Sequence, residues 1–284
     1  DRRSGIYKMK DFGNDSYSGD CFFFVGRLKG LDCNNSGDFI EILQIIDRDL
    51  SLGISEGNPI PVPRTFKEPD KAVSVPTERS DRPYTFKERK FTASELEYWQ
   101  QYGITPAILE QYKVCSVVQF QSENAEGNPF SYTSTKEEPI YGYKSKRFIK
   151  LYRPFSRTRF LYGGNIGENY CFGLEQLPSK GDTLFITGGE KDVLSLAAKG
   201  FHAICFNSET VTVPPNIIYK LTFRFKHIIL LYDMDATGLE SAKKHEKQLC
   251  EYGVKRLLLP LQGTKTEKDI SDYFRAGNSR ESFI

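Results

Sequence analysis

From Thr183 onward, short β-branched and aliphatic runs alternate with helical spacing, and each apolar run ends in an acidic loop. This alternation constrains the fold more than any other feature, because strand-helix-strand order specifies a parallel sheet with helices on its faces. The reading places strands at Thr183 to Thr187, Ala203 to Phe206, His227 to Tyr232 and Val254 to Leu259. It places helices at Asp192 to Lys199 and Ala236 to Cys250. In such sheets, sites form where strands end and helices begin. Glu190 and Asp192 stand at the first such junction, Asp233 and Asp235 at the next, and Asp269 and Asp272 after the last strand.

Asp233-Met-Asp235 would put two carboxylates on one side of an extended backbone. Gly238 would then let the chain turn into the helix. Carboxylates crowded in this way repel one another unless a hard cation sits among them, and oxygen ligands around phosphate chemistry favour magnesium, with manganese as an alternative. The competing explanation is that each aspartate merely caps a helix and complements its dipole. For three loops together that explanation is the weaker one.

These residues resemble a known family. Ile186-Thr-Gly-Gly-Glu-Lys-Asp-Val-Leu-Ser-Leu196 is similar to the first TOPRIM motif. Leu231-Tyr-Asp-Met-Asp-Ala-Thr-Gly238 resembles the second, an Asp-x-Asp-x-x-Gly loop. Lys268-Asp-Ile-Ser-Asp-Tyr273 resembles the segment that closes the domain in primases. The resemblance spans about residues 180 to 275. It implies catalytic roles for Glu190, Asp192, Asp233 and Asp235, with metal held by Asp233, Asp235, Glu190 and Asp269. The family's usual glutamate lies four residues before the aspartate matched by Asp192, and here that position is Gly188. Either Glu190 takes over the role or the domain is weakened or inactive. Glu209, in the next strand-helix loop, is a less favoured substitute.

Upstream, Thr92-Ala-Ser-Glu95 reads as a capping box opening one short helix, and Thr105-Pro106 opens a second. The segment Tyr102 to Tyr112 resembles the helix pair before the catalytic core of phage and mitochondrial primase-helicases. Residues 115–174 look strand-rich, punctuated by glycine and proline. From Pro139 to Gly167, Lys144, Lys146, Arg147, Lys150, Arg153, Arg157 and Arg159 occur without an acidic residue and with interleaved aromatics. Phosphate attraction and base stacking suit such a segment to single-stranded DNA. Lys146, Arg147, Lys150, Arg153, Arg157 and Arg159 are therefore the candidate DNA- and nucleotide-binding residues. A solvated hairpin with ordinary surface lysines is the plainer explanation. The net charge of the 284-residue chain is only +2, so nucleic-acid binding would rest on such a local patch.

Residues 1–52 read as a small α+β module, with a β-prone run at Cys21 to Val25 and helical spacing from Asp38 to Leu50. The module faintly resembles the C-terminal half of the zinc ribbon that opens bacterial primases. The six cysteines are scattered and form no CxxC pair, so neither a zinc site nor a redox motif is written here. Residues 53–90, with Pro59, Pro61, Pro63, Pro69, Pro76 and Pro83, read as a flexible linker. Scattered cysteines fit a reducing cytoplasm. No run approaches a membrane span. The chain opens on Asp1, without a signal peptide, as an excised fragment would.

The expected architecture is α/β, with a small N-terminal module at 1–52 (a zinc-free relic of a primase zinc domain), a linker at 53–90, a helix pair and strand-rich basic subdomain at 91–180, and a TOPRIM parallel-sheet core at 181–284. The resemblance implies a DNA replication protein: a primase, that is, a nucleotidyltransferase using magnesium, NTPs and a single-stranded DNA template, with a replicative helicase as partner. A TOPRIM nuclease and a non-catalytic DNA-binding replication or mobile-element factor remain alternatives; Gly188 favours the last. No GxxxxGK[ST] loop lies in the chain, so it carries no P-loop ATPase motif.

Overall fold

The computed structural model describes residues 9–10, 18–50, 52–53, 83–124, 126–167 and 170–283. The chain divides into two compact units, Asp1–Thr65 and Phe66–Ile284. Most of the expected proline-rich linker lies outside the described residues.

In the first unit, β1 (Met9–Lys10) pairs antiparallel with β2 (Ser18–Gly19). Two helices follow, α1 (Cys21–Lys29) and α2 (Ser36–Leu50). The apolar run at Cys21 to Val25 is thus helical rather than a strand. Asp20 Oδ1 accepts the Phe23 amide at 3.0 Å, and Gly30 ends the helix in the left-handed region at φ 70°. These two caps, together with packing on α2, override the β propensity of three consecutive phenylalanines. A Cβ at Gly26 would lie 2.8 Å from Leu31 O and 3.0 Å from Ile42 Cδ1, so the two helices approach at a position only glycine fits.

Among its described residues, the second unit holds two sheets. The antiparallel one contains β3 (Tyr84–Arg89), β4 (Val114–Glu123), β5 (Pro129–Thr133), β6 (Tyr141–Lys144), β7 (Phe148–Tyr152) and β8 (Phe160–Gly164). Its order is β3-β4-β6-β7-β8, with β5 also on β4. Strand β3 falls where the sequence suggested linker. It is an exposed edge strand, whose own pattern buries little and whose partner decides its structure.

The helix pair is α3 (Ala93–Gln100) and α4 (Pro106–Gln111). The capping box is formed: Thr92 and Glu95 exchange side-chain to backbone bonds at 3.3 and 2.8 Å. Buried Glu95 is further held by Arg89 and by the Ser116 hydroxyl.

The parallel sheet contains β9 (Gly181–Thr187), β10 (His202–Cys205), β11 (Phe225–Leu231) and β12 (Lys255–Arg256), in the order β10-β9-β11-β12. Strand alternation divides the core. Leu184, Ile186, Ile228 and Leu230 face α6 (Pro215–Thr222) and α7 (Ala236–Gln248). Phe185, Ile229 and Leu231 face the other layer, made of α5 (Glu190–Ala198), α8 (Ile270–Arg275) and the helix pair. Burial on both faces explains why these strands read as continuous apolar runs. Helix α6 was not expected. Its signal is Pro215 at the first turn, followed by Ile217, Ile218 and Leu221 on one face. Strand β12 is shorter than Val254 to Leu259, because only two residues pair with β11.

The parallel-sheet layer is tied to the segments before it at several points. Phe172 and Cys205 exchange backbone bonds at 2.9 and 3.1 Å, and the Ser195 hydroxyl donates to Tyr102 O at 2.9 Å. Trp99, Tyr141, Tyr143 and Tyr152 fill the space between α3 and the strands. Among the described residues no helix is long and apolar enough to cross a membrane.

Candidate metal centre and nucleic-acid cleft

Three loops at the C-terminal ends of the parallel strands deliver Asp192, Asp233 and Asp269, and one carboxylate oxygen from each lies within 4.8 Å of the others. Asp192 enters from the first turn of α5, Asp233 from the end of β11 and Asp269 from the N-cap of α8. Burial, reinforced by the Asp269 charge, pushes the Asp192 carboxyl well above the ordinary carboxylate range despite neighbouring Lys191. Burial also raises Asp233.

Local cations and donors hold the group together. Lys191 Nζ lies 3.0 Å from Asp269 and 3.6 Å from Asp192. Lys268 Nζ bridges Asp233 at 2.5 Å and Asp235 at 2.8 Å. The Ser271 hydroxyl donates to Asp192 at 2.6 Å. Three converging carboxylates, only partly neutralised by lysine, form the donor set of a hard divalent cation. The residues present therefore fit magnesium or manganese.

Two close backbone contacts shape the second loop. A Cβ at Gly238 would sit 2.2 Å from Asp233 O, and one at Gly263 would sit 2.4 Å from Met234 O. Gly238 is thus required by close approach to the Asp233 backbone rather than by a special turn conformation.

The other expected acidic residues take different places. The Asp235 side chain accepts the Gly238 amide at 3.0 Å as the cap of α7, so the two carboxylates of Asp-Met-Asp are not equivalent. Asp272 accepts from the Lys268 amide at 3.1 Å and pairs with Arg275 at 2.9 Å. Glu190, expected as base or third ligand, is 1% exposed. It accepts from Lys150 Nζ at 2.6 Å and from the Tyr170 hydroxyl at 2.7 Å.

That pairing changes the reading of the basic segment. Lys150 is 2% exposed and also donates to Asn207 O at 2.9 Å, so its charge is engaged inside the protein. Arg153 is buried, lies 4.3 Å from the Tyr132 ring centroid and donates to Glu138 and Thr158 O. Lys144 pairs with Glu88. Lys146, Arg147, Arg157 and Arg159 are exposed.

A cleft of about 390 Å³ is lined by Arg159, Phe160 and Tyr162, by the Lys150–Glu190 pair, and by the acidic loops with Lys191 and Lys268. Arg159 donates to the Tyr152 hydroxyl at 3.1 Å. Glu209 also lines this cleft, from the loop after β10. Burial and the Asp233 charge push its carboxyl up to about 7. The position of its loop, beside the first acidic loop at the same end of the sheet, was the signal available in the sequence. A second cavity of about 510 Å³ lies between Lys113, Lys144, Lys146, Tyr143, Phe148 and Phe172.

Residues 185–274 match the family described as Toprim-like. No curated protein matches the chain. Among solved structures, the DnaG catalytic core is similar at TM-score 0.51 and 18% identity, covering 67% of this chain and 71% of that one. A DNA primase domain from Pseudomonas aeruginosa is similar at TM-score 0.50 and 16% identity, covering 66% and 68%. The primase fragment of the bacteriophage T7 primase-helicase gives TM-score 0.45 at 18% identity, covering 65% and 70%. With the three acidic loops converging at the strand ends, residues 185–274 are a Toprim-like domain, and the chain carries it in the fold of a DNA primase catalytic core.

Proposed function

We propose that this chain is a primase-type nucleotidyltransferase, which joins NTPs into a short RNA primer on a single-stranded DNA template. The observation that carries this reading is a single cleft lined both by the acidic triad and by basic and aromatic side chains. Asp192, Asp233 and Asp269 would hold the magnesium. When bound, magnesium supplies neutralisation of phosphate charge and a lowered pKa for the attacking hydroxyl.

The chain's own groups do the rest. Lys191 and Lys268 hold the carboxylates in place and offer positive charge at the cleft. Arg159, just before β8, presents a guanidinium suited to phosphate, and Phe160 and Tyr162 on that strand line the same cleft with rings that offer platforms for bases. Exposed Lys146, Arg147 and Arg157 extend the positive surface for template.

The test is incorporation of labelled NTPs on a single-stranded template with magnesium or manganese, beside Asp233→Asn. Incorporation that Asp233→Asn abolishes supports the reading. Cleavage of labelled DNA without incorporation would replace it with the nuclease. Binding of DNA with neither activity would leave a non-catalytic replication factor.

A further inference from the structure

Position 188 faces the acidic site but has no side chain. A Cβ built on Gly188 would lie 3.2 Å from Asp233 Oδ1, so a side chain here would point among the carboxylates. The same Cβ would lie 3.0 Å from Glu209 Oε2, and 3.8 Å from Glu209 Cβ. The space is therefore already filled, by a carboxylate reaching across from the loop after β10. Glu209 Oε2 is shielded from solvent and has no hydrogen-bond partner among the described residues. A shielded carboxylate oxygen without a hydrogen-bond partner is costly to ionise, and a cation in the space it faces would offset that cost.

From this geometry we infer that Glu209 supplies the carboxylate missing at position 188 and is a fourth ligand for the divalent cation of the proposed primase site. The inference deepens that reading of the site and explains how the first acidic loop can open on two glycines. Glu190, two residues further on, is less suited to that role, because its Oε1 already accepts from Lys150 and Tyr170. The exchange is local: position 188 and residue 209 follow neighbouring parallel strands, β9 and β10, paired from His202–Leu184 to Cys205–Thr187. A carboxylate can thus enter the same space from either loop.

The experiment is manganese binding to the full chain, followed by electron paramagnetic resonance of the free ion. Wild type is compared with Glu209→Gln and with the relocated pair Glu209→Ala/Gly188→Glu. Glu209→Gln keeps the shape and removes the charge, and melting in chelator checks that it folds. It is expected to weaken manganese by at least the roughly tenfold that loss of even an outer partner costs a metal site. The relocated pair is expected to regain binding close to wild type. Wild-type affinity in Glu209→Gln would overturn the inference, and so would a failure of the relocated pair to recover what Glu209→Gln loses.

Primer synthesis, measured in parallel, keeps the two readings apart. A wild type that binds manganese through Glu209 but makes no primer would sink the primase and leave the ligand assignment. A wild type that makes primer while Glu209→Gln binds manganese normally would do the reverse.

Discussion

Replacing Lys150 with methionine separates a structural lysine from a DNA contact. Lys150 Nζ is 2.6 Å from Glu190 and 2.9 Å from Asn207 O, and the paired side chains are 2% and 1% exposed. Methionine fills much of the same volume but leaves the Glu190 carboxylate buried, with only the Tyr170 hydroxyl donating to it. Removing one partner of a buried pair costs about 3–5 kcal/mol, because the remaining charge is uncompensated. For a unit of this size each kcal/mol lowers the melting temperature by roughly 2–4 °C, so the expected fall is roughly 6–20 °C. Differential scanning calorimetry reads this directly. Lys150→Met/Glu190→Gln should recover most of the loss, since it removes both charges. If Lys150→Met cost no more than the roughly 0.5 kcal/mol of a surface change while weakening single-stranded DNA binding, Lys150 would be an open contact and the buried pair would be wrong.

Three further outcomes are expected. Alanine at Lys146, Arg147, Arg157 and Arg159 should flatten the dependence of log affinity for single-stranded DNA on log salt, by up to about 0.7 for each phosphate no longer neutralised; an unchanged slope would make these residues ordinary surface. In chelator, the folded chain keeps a proton on Glu209 up to about 7, whereas an unfolded glutamate releases it near 4.5. The unfolded state therefore binds fewer protons across that window, and Asp192 and Asp233 shift the same way. Melting temperature should fall as pH rises from about 4.5 to 7 and recover with magnesium at the upper end; a rise across that range would contradict the site's electrostatics. Gly238→Ala would place a methyl 2.2 Å from Asp233 O. It should destabilise the fold by about 1–3 kcal/mol and weaken manganese binding, measured by denaturant melts and titration.

The sequence by itself determined the α/β alternation, because strand and helix periods are local properties of side-chain order. It also determined that acidic residues would gather at one end of the sheet, since every parallel strand enters its helix at the same edge. The capping box at Thr92 and Glu95 was legible for the same local reason. Only the tertiary structure decided which carboxylates meet. Glu190 and Asp192 are two residues apart on α5, about 200° around the helix, so they face different surroundings. One turns to Lys150 and the other to Asp233 and Asp269. Asp235 begins a helix rather than continuing a strand, and capping α7 claims one of its oxygens. The charge of Lys150 looked available in a basic run, but its partner comes from 40 residues away, beside another sheet. Which loops are neighbours, and therefore which charges are paired, follows from the order of strands in space, and no local pattern in the chain carries that order.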